Sequence, residues 1–103
     1  MKFDPYIFDA LMRDLVGHSR SPAAFVVYLH LYRQSVAMGH ESVSQSLALI
    51  ADSTGLSKRA VQIAILHLVD RQLLQVFRAG RTSVPAYTVL TPWRRLARFR
   101  TEP

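Results

Sequence analysis

The sequence contains no cysteine. Disulfide frameworks, thiol nucleophiles and cysteine-ligated metals are therefore excluded from the start. Long apolar runs are missing too: the longest, "AAFVVYL" ahead of His30, is far too short to span a bilayer. The opening residues, "MKFDPYIFD", bring acids in early and break up the apolar stretch that a secretory leader needs. A cytoplasmic protein is expected. Acidic residues are scarce from position 57 onward. Residues 57–100 carry nine Lys and Arg against Asp70 alone, a net +8, whereas residues 1–56 carry four cations against five acids, a net −1. Charge placed so unevenly is the footprint expected of a polyanion partner, which makes the basic half a candidate nucleic-acid surface.

The groupings that carry catalysis are also lacking. Seven carboxylates and four histidines are scattered without a metal-ligand spacing, and there is neither a glycine-rich phosphate loop nor a nucleophile elbow. No enzymatic activity, metal or cofactor is expected. His18, His40 and His67 are of a type that titrates near neutral pH, but no spacing joins them into a sensor or a site.

What is present is enough apolar material for one core. Half of the 103 residues are hydrophobic, which argues for a single ordered domain over 1–103 rather than for disorder. The expected layout is an N-terminal helical extension over 1–20, a core over 21–91 and a basic tail over 92–103. "PYIFDALMRDLV" puts Ile7, Phe8, Leu11, Leu15 and Val16 near one helical stripe, with Pro5 suited to the first turn. "GHSRS" breaks that pattern. Ser21 and Pro22 then mark a helix start, and Gly39 marks its end. The residues between are apolar on almost every side, so this helix is expected to be central, with His30 a neutral, hydrogen-bonded core histidine.

Beyond "HESVSQS", where Val43 fits a very short strand, Ser44 or Ser46 can cap a short helix over "LALIADST". Gly55 ends it, Leu56 can pack beneath the corner, and Ser57 caps a further helix over roughly 58 to 72. The period then changes. "LLQVFRAG" and "PAYTVL" read as two short strands of a hairpin whose tip carries Arg78 and Arg81, with Val76, Tyr87 and Val89 among the β-favouring residues. Pro92 suits one last helical turn, with Trp93, Leu96 and Phe99 three apart.

From this order residues 22–91 resemble a winged helix-turn-helix domain of bacterial transcriptional regulators and of phage or plasmid replication proteins. The matching residues are Ala51, Gly55, Leu56, Ser57, Val61, Ala64, Ile65, Leu68, Leu73 and Leu74. The resemblance implies a mainly α fold with a small β-hairpin: a three-helix core preceded by an N-terminal helix, and a β-wing after the recognition helix. It also implies double-stranded DNA as partner. In such domains the second helix of the corner lies in the major groove. On this chain Lys58, Arg59 and Gln62 would then face base edges, each paired contact discriminating by roughly 1–3 kcal/mol. Ser57, or the N–H groups beside it, would hold a phosphate. Arg78 and Arg81 on the wing, with Arg94, Arg95 and Arg98 beyond it, would extend the surface.

One departure sets a second expectation. Ile63 and Leu66 stand on the outward face of the proposed reading helix, where polar groups are usual. They either contact thymine methyl groups or are covered by protein, whether the N-terminal segment, the C-terminal tail or a second subunit. Position 72 is glutamine where this family often has glycine, so a different exit from the helix is expected. A homodimer formed through the N-terminal helix or the C-terminal segment fits the motif. A protein-interaction winged helix, or a replication or partition accessory factor, is the alternative function. The amphipathic "PWRRLARFR" also resembles an interfacial membrane helix but is too short to favour that role over docking on the core or DNA, so no membrane partner is expected. The sequence names no small-molecule effector.

Overall fold

Three serines set the frame. In the computed structural model, which describes residues 2–94, Ser21, Ser46 and Ser57 each accept a hydrogen bond from the N–H three residues on. The partners are Ala24 at 3.3 Å, Leu49 at 3.1 Å and Ala60 at 3.0 Å. Each serine satisfies one of the N–H groups that the start of a helix leaves without a carbonyl. The helices they open are α1 (Pro22–Gln34), α2 (Leu47–Thr54) and α3 (Lys58–Asp70).

Three short strands complete the frame: β1 (Val43–Ser44), β2 (Leu74–Phe77) and β3 (Ala86–Val89). They form an antiparallel sheet in the order β1-β3-β2. The expected hairpin is β2–β3, in register from Leu74 opposite Val89 to Phe77 opposite Ala86, and Val43 joins it opposite Tyr87. The chain is thus mainly helical with a small antiparallel sheet.

The core lies between α1, α3 and the inner face of β3. Val27, Tyr28, Leu31 and Tyr32 from α1 meet Val61, Ala64 and Leu68 from α3, with Tyr87 closing the sheet side. Burial of each large aliphatic side chain contributes about 1.5–3 kcal/mol. Tyr28 is buried with its hydroxyl donating to the Leu90 carbonyl at 2.8 Å, and burial pushes that hydroxyl well above the usual tyrosine range. His30 is hydrogen-bonded as expected, its Nε2 2.8 Å from Gln45 Oε1, but it is half-buried at the edge of the core rather than within it.

Two expectations are corrected. The central helix stops at Gln34 rather than running on to Gly39. Ser35 is buried, its hydroxyl donates to the Leu31 carbonyl at 2.7 Å, and its backbone leaves the helical region. A 3₁₀ turn (Val36–Met38) fills the gap before Gly39, whose φ is 80°. Nor is α1 apolar-packed on every side, since Val26 and Arg33 are exposed.

The N-terminal helix is real, but it is wound as π-helix over Ile7–Leu11 and Arg13–His18. An i→i+5 ladder widens each turn beyond the α value. The buried stripe is Ile7, Leu11 and Leu15, while Phe8 and Val16, expected on it, are exposed. This segment contributes directly to the core, and it is tied down at both ends. Arg71, just past α3, donates to Asp14 and Ser19. At the other end Asp4 accepts from Trp93 Nε1 at 2.8 Å and Arg94 Nε at 3.1 Å, and the Tyr6 ring stacks on Trp93 with centroids 4.7 Å apart. Pro92–Arg94 form the start of the expected last turn. Leu96 and Phe99 lie outside the described residues.

Candidate nucleic-acid interface

The corner between α2 and α3 is built by local chemistry. Gly55 takes φ 81° and its N–H donates to the Ala51 carbonyl at 2.9 Å, closing the last turn of α2. That left-handed conformation is open to glycine at little steric cost. The Thr54 hydroxyl caps the Ile50 carbonyl at 2.8 Å and accepts from the Leu56 N–H at 3.3 Å. Ser57 is extended, with ψ 159°, and turns the chain into α3. Ala51, Val61, Ala64, Ile65 and Leu68 are buried beneath the crossing, and Leu56 is packed against it.

The first turn of α3 consequently projects into solvent. Ser57, Lys58, Arg59 and Gln62 are all exposed, and the first turn holds no acid. The N–H groups of Lys58 and Arg59 have no intrahelical carbonyl to bond. One turn further along the same outward side stand Ile63, 54% exposed, and Leu66, 70% exposed. The N-terminal segment, one of the elements expected to cover them, packs instead against α1 and Trp93 and leaves them open. Asp70 ends that face at the far end of the helix.

Arg78 and Arg81 are exposed on the loop between β2 and β3. Arg78 lies near Tyr87: burial pushes the Tyr87 hydroxyl up, and the Arg78 charge pulls it partly back. Arg94 is otherwise engaged, with Nε on Asp4 and one terminal nitrogen donating to the Tyr32 hydroxyl at 2.8 Å. Arg71 is likewise taken up by Asp14. Arg95 and Arg98 lie outside the described residues. Four cations from the basic half, Lys58, Arg59, Arg78 and Arg81, are thus left on the α3 and hairpin surfaces among the described residues.

The exit from α3 does not differ as the glutamine at 72 suggested. Gln72 itself takes φ 58°. Its N–H donates to the Val69 carbonyl and the Leu73 N–H to the Leu68 carbonyl, at 3.0 and 2.9 Å, which closes the helix with the paired bonds of a glycine-type stop.

No family model and no curated protein matches the chain. Its function must be read from its own surface. Sequence reasoning missed two members of that surface, Phe77 and Val84, which are 69% and 55% exposed at the two ends of the β2–β3 loop. Strand alternation would have found Phe77, because it shares a face with Gln75, opposite the buried Leu74. A groove of about 880 Å³ runs along this strand, past Val69, Val76, Phe77 and Thr88, and among the described residues no charged side chain lines it. The cations lie elsewhere. Among the described residues no helix is long and apolar enough to cross a membrane.

Proposed function

We propose that the chain is a cytoplasmic winged helix-turn-helix protein that binds double-stranded DNA, with α3 in the major groove and the β2–β3 hairpin as the wing, and that it acts as a transcriptional regulator. The observation that carries this reading is the start of α3. Lys58 and Arg59 occupy the positive end of the helix dipole with no acid in that turn. A cation there forgoes the roughly 0.3–1 kcal/mol that an acid would gain at the same position. Local rules are broken in this way where function demands it. A phosphate or a guanine edge set against these groups turns the cost into an attraction, because the same N–H groups and side chains are then donors to an acceptor. The exposed Gln62 suits an adenine edge, and Arg78 and Arg81 suit phosphates.

A fluorescence-anisotropy titration against random duplex DNA, repeated over several salt concentrations, tests the reading. Phosphate contacts by the two hairpin arginines alone imply a slope of log affinity against log salt of about −1.8. Arg81→Ala is expected to reduce that slope by about 0.9. Lys58→Ala and Arg59→Ala variants that bind as tightly as the parent would sink the proposal.

The exposure of Ile63 and Leu66 favours a second reading, in which this face docks a protein and the chain serves as an interaction module or a replication accessory factor. A two-fold dimer would unite the two readings, since paired half-sites are usual for the motif.

A further inference from the structure

Ile63 and Leu66 are exposed branched side chains on the outward face of α3, the face whose first turn presents Arg59 and Gln62. We propose that these two residues read thymine: they form an apolar step that receives the C5-methyl groups of neighbouring A·T pairs in the major groove. The inference rests on the DNA-binding reading above and adds the base preference of that same helix.

Three observations carry it. The first is spacing. Residues three apart on an α-helix are separated by about 4.5 Å along its axis, close to the roughly 3.4 Å between stacked base pairs, so the two side chains meet adjacent or nearly adjacent pairs. The second is charge complementarity. The apolar step follows directly on Lys58 and Arg59, and along α3 the acid Asp70 stands only in the last turn. A polyanion can therefore lie along the first three turns, guided by the cations, with the methyl groups brought to the step. The third is size. A stable protein partner covers about 800 Å² on each side, which two side chains ending at an acid do not supply. The apolar groove along β2 is lined by Val69 rather than by these residues. In the major groove the thymine methyl is the apolar group that an A·T pair presents, and it is absent from G·C pairs.

The test replaces thymine by uracil. Deoxyuridine lacks the C5-methyl group but leaves the minor-groove pattern and the base pairing unchanged. Anisotropy titrations at one low salt concentration would compare three probes: a duplex of A·T pairs, the same duplex with deoxyuridine throughout, and a G·C duplex. Burial of one methyl group is worth about a four-fold change in binding constant, so two give roughly fifteen-fold tighter binding to the thymine duplex. In the Ile63→Ala/Leu66→Ala double variant that ratio is expected to fall toward one while salt-dependent binding to all three probes persists. Both side chains are exposed, so the variant keeps its core.

Equal affinity of the parent for the thymine and uracil duplexes would overturn the inference and leave the DNA-binding reading standing. A thymine preference that survives in the double variant would overturn the assignment to Ile63 and Leu66. A parental dimer that becomes monomeric in the double variant, by sedimentation without DNA, would give the face to a second copy and overturn it as well. Failure to bind any of the three duplexes at low salt would remove both readings together.

Discussion

Gln72 pays for its place in the fold with its own backbone. It holds φ 58° in the turn that ends α3, and the hydrogen bonds of Gln72 and Leu73 to Val69 and Leu68 require that conformation. For an L-residue with a β-carbon, the left-handed region costs roughly 1–2 kcal/mol. Glycine removes that cost but brings extra freedom to the unfolded chain, which takes back roughly 0.5–1 kcal/mol. Gln72→Gly is therefore expected to stabilise the protein by about 0.5–1 kcal/mol, because the exposed glutamine side chain makes no core contact that would be lost. For a domain of this size that corresponds to a rise in Tm of about 2–8 °C, read by thermal circular dichroism and checked by urea midpoints. Two controls isolate the cause. Gln72→Ala keeps the β-carbon and should leave Tm nearly unchanged. Gly55→Ala should lower Tm by a similar amount, because φ is 81° there and a β-carbon meets nothing within 4 Å, so the cost is conformational alone. A fall in Tm for Gln72→Gly, or an equal rise for Gln72→Ala, would refute the reasoning.

Two further perturbations probe the frame. Ser57→Ala removes the acceptor for the Ala60 N–H and should cost about 1 kcal/mol, measured as a lower urea midpoint with unchanged slope. Asp4 gives a pH dependence. Partial burial pushes its carboxyl up, but hydrogen bonds from Trp93, the Tyr6 N–H and Arg94, with the Arg94 charge, outweigh it and hold the carboxyl below its ordinary value of 3.8. A carboxyl lowered by folding stabilises the protein above its unfolded value, and that contribution is lost as pH falls through the folded value. The gap in urea midpoint between the parent and Asp4→Asn should be widest near neutral pH and should narrow as acid is added below 3.8. A gap that stays constant with pH would show that the Asp4 charge plays no part.

Much of the frame was legible because it is written in short-range chemistry. The serine caps at positions 21 and 57 and the glycine at 55 act on atoms within a few residues, so sequence alone located the starts of α1 and α3 and the corner between α2 and α3, while for α2 it left Ser44 and Ser46 as alternatives, of which Ser46 is the cap. The hairpin was legible from its change of period. The winding of the N-terminal helix was not, since the four-residue spacing of Ile7, Leu11 and Leu15 fits an α-helix as well as a π-helix. The early stop of α1 hangs on one buried hydroxyl at Ser35, which looks like any polar residue in a helical run. Of the candidate site, the exposed first turn of α3 and the hairpin arginines were foreseeable. The loss of Arg71 and Arg94 to internal partners was not. Their carboxylates are 57 and 90 residues away in sequence, a distance at which charge composition says nothing about pairing.

The clasp between Asp4 and Trp93 also fixes an order of events at the ribosome. The two residues are 89 positions apart. At ordinary synthesis rates Asp4 waits on the order of 5–20 s before its partner exists. During that interval Ile7, Leu11 and Leu15 have only the emerging α1 to rest on, and Tyr6 has no indole to stack against. The segment is thus fully secured only once Trp93 has been made, and until then its apolar stripe and the Tyr6 ring lack that clasp.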